Sequence, residues 1–277
     1  EGAMSPTIKW KTLAKQKFTI PPLEEQNKIA ELLWAIENNI EKTENLISIN
    51  EKLKKGLLNE LLTKGIGHKK FKKTEIGEIP EDWDVVQIKD VSNVRRGASP
   101  RPIDNPDFFS NKGPGWIRIA DLTPVYKYLR KTEQYLSELG VSKSVFVKKG
   151  DLIMSICATI GKPVIIDMEA CIHDGFVLFT EIDSHRLNTE FLFYVLLKNE
   201  EQFIANKQVG TQGNLNTSIV GNTKIALPKK IEEQINIVRL FNTIDKNIFT
   251  LEINLNQLNN LKKKLTDDLL SGKLRLD

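Results

Sequence analysis

Asp104 to Phe109 read DNPDFF, one of the few stretches of this sequence where catalysis could start. Pro106-Asp107 could open a magnesium-dependent nuclease site. Such a site also needs a later acid-x-Lys on a strand, so that two carboxylates share the metal and the lysine orients water. No acidic residue after Asp107 has lysine two positions on. The same run approaches the Asn/Asp-Pro-Pro-aromatic motif of amino-methylating enzymes. Asp107 stands where that motif has its second proline, and no glycine-rich loop follows an upstream strand to hold a methyl donor. There is no phosphate-binding P-loop and no Gly-x-Ser-x-Gly elbow. Cys157 and Cys171 lack C-x-x-C spacing and His68, His173 and His185 are scattered, so no metal cluster can be read. The chain reads as non-catalytic.

Polar and basic residues at turns remain. Arg95, Arg96, Ser99 and Arg101 sit in one Gly/Pro-punctuated loop, RRGASPRP. Arg118 and Asp121 flank a strand end, Thr159 and Lys162 a tight turn, and Thr211, Gln212, Asn214 and Asn216 a late polar loop. Arginine and lysine suit phosphates and guanine edges, and Asn and Gln can pair with adenine. These residue types suit reading a duplex, and ordinary solvated loops carry the same types.

The elements that would position these loops lie between Lys69 and Lys224. IPEDWDVVQIKDV alternates like a strand after the charged linker HKKFKK. GPGWIRIADL reads as strand, as does SVFVKKGDLIMSICATIGKPVIID with breaks at Lys149 to Asp151 and Thr159 to Lys162. ACIHDGFVLFTEI reads as another strand. Asn188 to Lys207 reads as a helix capped by Asn188 or Thr189, with Phe191, Val195 and Phe203 inward.

On either side of this region one phrase is written twice. IPPLEEQNKIAELL and LPKKIEEQINIVRLF align from the Glu-Glu-Gln, Glu24 on Glu232, Gln26 on Gln234 and Ile36 on Ile244, through to Leu61 and Leu62 on Leu269 and Leu270. Each copy starts after proline with acids in its first turn. At about forty residues each helix would run roughly 60 Å. The second copy carries a heptad seam of Ile237, Phe241, Ile244, Ile248, Leu251, Leu255 and Leu258. The first keeps Ile36, Ile40 and Ile47, then shifts to Leu53, Leu57 and Leu61. A stripe so narrow on a helix so long needs cover, from a partner helix within the chain or on another copy, with burial along the globular core as the alternative.

Length and composition fit an ordinary globular protein. The 277 residues are 40% hydrophobic and 27% charged, and 40 Lys+Arg against 36 Asp+Glu give a mild +4. No run of eighteen apolar residues and no signal-peptide layout is present, so a cytoplasmic setting without membrane insertion is expected. The expected fold class is α+β, one globular domain plus two long helices forming an antiparallel coiled coil within or between chains.

The repeated PPLEEQNKIAELL…KKGLLNELLTKG and EEQINIVRLF…KKKLTDDLLSGK resemble the conserved regions of the specificity subunit of type I restriction–modification systems. The middle segment, with RRGASP, WIRIADL, KKGDLIMSICATIGKPVII and GTQGNLN, is similar to a target-recognition domain of that family. The resemblance implies a tail of an upstream recognition domain at 1–21, conserved helices at 22–66 and 229–274, and a recognition domain at 67–228. It implies double-stranded DNA as ligand, one half of a bipartite site read by this domain, and docking of methyltransferase and restriction subunits. S-adenosylmethionine, ATP and magnesium would then belong to those partners, and this chain would hold no cofactor or metal. One recognition domain where the family has two points to a partial chain, or to copies that pair through their helices. The competing expectation is a coiled-coil adaptor whose globular domain binds protein.

Overall fold

The computed structural model describes residues 10–15, 20–207 and 215–276. In chain order come α1 (Trp10–Leu13), the long α2 (Leu23–Lys64), β1 (Phe71–Thr74), β2 (Gly77–Pro80), β3 (Trp83–Gln87), β4 (Asn93–Arg96) and β5 (Phe109–Ile117). Next are α3 (Ile119–Leu122), β6 (Tyr128–Leu129), β7 (Gln134–Leu136), α4 (Glu138–Ser142), β8 (Val145–Val147), β9 (Leu152–Ser155), β10 (Pro163–Ile166), β11 (Ala170–Ile172) and β12 (Phe176–Thr180). The chain continues through α5 (Thr189–Lys198), α6 (Glu200–Lys207), α7 (Thr217–Gly221), β13 (Lys224–Pro228) and the long α8 (Ile231–Leu270). It divides into a unit of residues 53–244 and a unit of 1–52 with 245–277, so both cuts fall inside the long helices. No described helix is long and apolar enough to cross a membrane.

In the 53–244 unit a five-stranded sheet, β4-β12-β9-β10-β6, is buried on both faces at its inner strands β12, β9 and β10. Side chains alternate along its strands. Met154, Val177 and Phe179 face α5 through Phe191, Leu192 and Val195, together with Leu61, Leu62, Ile237 and Phe241 from the inner ends of α2 and α8. Ile153, Phe176 and Leu178 face the other way, against Ile117, Val145, Val147 and Ile172 of a second sheet, β7-β5-β11-β8. β3 pairs with β13, and β1 with β2.

This packing corrects part of the expected helix seam. Phe241 and Leu61 belong to the globular core, with Leu57 packed against it, and Leu53 is largely exposed. The heptad pattern marks a buried stripe, and here a sheet and α5 cover it rather than a second helix. Three other expectations change. Ile119 to Leu122 form a helical turn because the Asp121 carboxylate accepts the Arg118 N–H at 2.8 Å and stops the strand. The helix expected over 188–207 breaks at Asn199 into α5 and α6, with Asn188 capping α5 through Phe191 N at 3.0 Å. ACIHDGFVLFTEI is two strands in different sheets, joined by a turn at His173-Asp174-Gly175.

A buried polar knot ties α5, β6 and the root of α8 together. Lys127 Nζ donates to Glu190 at 2.6 Å and to the Tyr194 hydroxyl at 3.1 Å, and also bonds Asn242. Asn242 in turn donates to Glu190 at 2.9 Å. Burial, then Glu190, pushes the Tyr128 phenol beside it up to about 12.

In the other unit the two helices run antiparallel within the chain. Glu37 pairs with Lys262, and Glu25 with Arg275 at 2.6 Å, so partners descend α2 as they ascend α8. Ile29, Ile36 and Ile40 are buried, while Ile47, Ile248, Leu251, Leu255 and Leu258 are only half-buried, as two helices alone must leave them. Ile244, buried, closes the other unit.

The two copies of the repeat use the same local devices. Gln26 donates to the Pro21 carbonyl at 2.8 Å, and Gln234 to that of Pro228 at 3.1 Å. Glu25 accepts the Leu276 N–H at 3.3 Å beside Arg275. Glu233 accepts the Ile66 N–H at 3.2 Å and holds His68 at 2.7 Å. Each glutamate thus holds the segment that leaves the end of a long helix.

Candidate nucleic-acid interface

Three of the expected loops and the unexpected turn 173–175 meet at one end of the central sheet. Gly97 N bonds the Phe176 carbonyl at 2.9 Å and Ala98 N that of Ile172 at 3.2 Å, which stitches loop 95–101 to the turn. Ile156 N bonds the Gly175 carbonyl at 2.8 Å, adding the loop after β9. Lys162 Nζ then reaches the Leu122 carbonyl at 2.6 Å, tying that loop to α3 and the segment of Arg118 and Asp121.

Asp174 is the hub. The Ser99 hydroxyl donates to its Oδ1 at 2.7 Å, Arg101 Nη2 to its Oδ2 at 3.3 Å, and Arg96 Nε to its backbone carbonyl at 2.8 Å. Burial works against the carboxylate's charge, but the Ser99 hydrogen bond, its own backbone amide and Arg101 outweigh it and hold the acid below its usual range. Residue 174 therefore holds a hydroxyl and one guanidinium through its carboxylate and a second guanidinium through its backbone carbonyl. Arg95, next along β4, projects to the opposite face of the strand from Arg96 and makes no ion pair among the described residues.

The remaining positions divide by what already holds them. Asp121 is buried, its Oδ2 on Arg118 N and its Oδ1 on Glu133 N at 3.1 Å, so it shapes the turn and faces no ligand. Arg118 pairs with Glu133, and its buried Nε has no hydrogen bond among the described residues. The Lys162 ammonium is spent on carbonyls, and burial lowers its pKa. Thr159 is exposed in the turn. Asn216 caps α7 through Ile219 N at 2.8 Å. Thr211, Gln212 and Asn214 lie outside the described residues. Among the described residues no group of three His, Cys, Asp or Glu is placed to hold a metal ion.

Residues 2–54 and 80–262 match the family described as type I restriction modification DNA specificity domain. The chain belongs to that family. It is 31% identical to the type I restriction enzyme MjaVIII specificity subunit of Methanocaldococcus jannaschii, over the whole of this chain and 66% of that protein. It is 30% identical to the putative MjaX specificity subunit of the same organism, over 94% of this chain and 60% of the relative. The chain thus spans less than two thirds of these relatives. The HsdS subunit of Thermoanaerobacter tengcongensis shares the fold, with a TM-score of 0.62 at 20% identity over 99% of this chain and 65% of that one. The S subunit from M. genitalium does so with a TM-score of 0.57 at 13% identity, over 89% and 61%.

The sequence reading missed Asp174, the residue that organises the arginine loop, because HDG was absorbed into a strand. Asp-Gly inside an apolar run is itself a turn signal, and it is the mark that could have found the site.

Proposed function

We propose that this chain is a DNA-reading part of a type I specificity subunit. Its 53–244 unit binds one half of a bipartite double-stranded site through loop 95–101, the turn 173–175 and the loop after β9. The observation that carries this reading is the Asp174 hub inside the family-matched segment, since guanidinium groups fixed in advance are what base-edge recognition needs. Arg96 and Arg101, aimed by residue 174, read base edges, and Arg95, which makes no ion pair among the described residues, holds phosphate. Phosphate contacts give affinity that falls with salt, and base contacts give selection. The long helices present the domain to methyltransferase and restriction subunits. Those partners carry S-adenosylmethionine, ATP and magnesium, and this chain performs no bond-breaking step of its own.

A randomised fluorescent duplex pool, equilibrated with the chain across a salt series, tests this. Binding that weakens steeply with salt and enriches a short sequence is the expected result. Absence of binding at low salt, with no enrichment, would transfer the domain to the protein-binding adaptor class.

A further inference from the structure

His173 carries an inference beyond the arginine loop. The Gly175 N–H donates to its Nδ1 at 2.8 Å. Asp174 Oδ1 lies 3.7 Å from the same nitrogen and already accepts the Ser99 hydroxyl at 2.7 Å, so Nδ1 is an acceptor and not a donor to Asp174. A neutral imidazole has one proton, which this geometry assigns to Nε2. Burial lowers the pKa of the ring, more than the opposing pull of Asp174 raises it, which keeps the neutral form at neutral pH.

The ring is also fixed in direction. It sits 4.7 Å from the Phe176 ring and 5.9 Å from that of Trp116, centroid to centroid. A Cβ at position 175 would fall 2.3 Å from its Cε1 and 2.4 Å from Cys157 Sγ, and one at position 97 would fall 2.1 Å from the His173 carbonyl oxygen. Only glycine permits these approaches, and they hold the histidine against the arginine loop. Its side chain keeps 19% of its surface exposed, and Nε2 makes no hydrogen bond to the described residues and is not fully enclosed. The result is one uncharged N–H donor of fixed direction on the same turn that holds Arg96, Ser99 and Arg101 through Asp174.

Resting on the DNA-reading function above, we propose that His173 is a specificity-determining residue whose Nε2–H reads a hydrogen-bond acceptor on a base edge. Being neutral, it contributes selection without salt-dependent affinity. In the major groove the acceptors are N7 and O6 of guanine, N7 of adenine and O4 of thymine.

The test is the same duplex pool applied to the unaltered chain, His173→Ala and His173→Gln, with the salt slope on non-specific DNA and the thermal midpoint of each variant. His173→Ala is expected to relax one base-pair position by roughly five- to tenfold, with the other positions and the salt slope unchanged. His173→Gln, which keeps a donor near the place of Nε2, is expected to retain part of that preference. Unchanged selection at every position in His173→Ala overturns the proposal. So does a uniform loss across all positions, which would make His173 only a support for the turn. Failure of the unaltered chain to select any sequence sinks the DNA-reading function instead.

Discussion

Asp174→Asn separates the two ways in which the arginine loop can meet DNA. The change keeps the shape of the side chain and removes its charge. In the folded protein Arg101 stands at 3.3 Å with 70% of its side chain exposed and 42% of that of Asp174, so this pair is worth about 1 kcal/mol or less. The Ser99 hydroxyl bond to a half-exposed carboxylate adds about 1 kcal/mol, and Arg96 holds the backbone carbonyl, which the substitution leaves in place. The expected loss of stability is therefore only about 1–2 kcal/mol, read as a shift of the urea midpoint at constant slope. The lowered acid pKa contributes stability that is present above the ordinary aspartate range and lost as pH falls through the folded value, and the asparagine variant lacks this dependence. The DNA result runs the other way. Freeing Arg101 from its anion lets it reach phosphate, so non-specific binding tightens at low salt and the slope of log affinity against log salt steepens by about 0.9. Selection falls, because Arg101 is no longer aimed by the carboxylate, while Arg96 stays on the backbone carbonyl. Weaker non-specific binding, or selection equal to that of the unaltered chain, would refute the argument that Asp174 orders the loop.

Lys127→Met should destabilise the protein by about 3 kcal/mol in urea unfolding, because Glu190 and Asn242 lose the buried ammonium they share. Adding Glu190→Gln should recover part of that loss, and additive costs would exclude the coupling. Alkaline absorbance titration should show Tyr128 ionising near 12, well above the ordinary tyrosine range. The stability tied to that raised value is present below the ordinary tyrosine range near 10 and lost as pH climbs through 12. Gln234→Ala should cost about 2–4 kcal/mol, since its buried amide serves Pro228, Arg186 and Asn188 at once. Gln26→Ala, with a single bond to Pro21, should cost under about 1 kcal/mol in the same unfolding assay. The Cys171 thiol, pushed up to about 11 by burial, should resist a thiol reagent at pH 8 until the protein is unfolded.

The strands that ended on charged or glycine-rich turns were readable in the sequence because the break itself is local chemistry. Lys149-Gly150-Asp151 separates β8 from β9, and Asp151 takes the Lys148 N–H at 2.8 Å, the kind of contact a short acid at a turn makes. The turn between β11 and β12 was hidden for the opposite reason. Ile172 and Phe176 on either side of it are both fully buried, so hydrophobicity runs on while the chain changes sheets. Among the loop residues, type gave chemistry but not availability. Asp121 and Lys162 have the same composition signal as Arg95 or Arg101, yet backbone amides and carbonyls consume them. Only the folded neighbours, α3 for Lys162 and β7 with its flank for Asp121, decide which charges are left to meet a ligand.

The repeat shows how far identical sequence carries identical structure. Glu25 and Glu233, and Gln26 and Gln234, make matching bonds because their targets are backbone groups that every such helix end supplies. The seam residues keep their burial only where a surface meets them. Phe241 lies against the sheet and α5, whereas Leu33 at the matching place in the first copy is half-buried. One residue further the sequences part. Asn242 is locked into the Lys127–Glu190 knot, and its counterpart Trp34 stands 71% exposed. A polar residue was kept where a buried ion pair had to be satisfied, and an apolar one where no such pair faces the helix. The difference between the copies thus records what each one packs on, and the likeness records only that both begin and end as helices must.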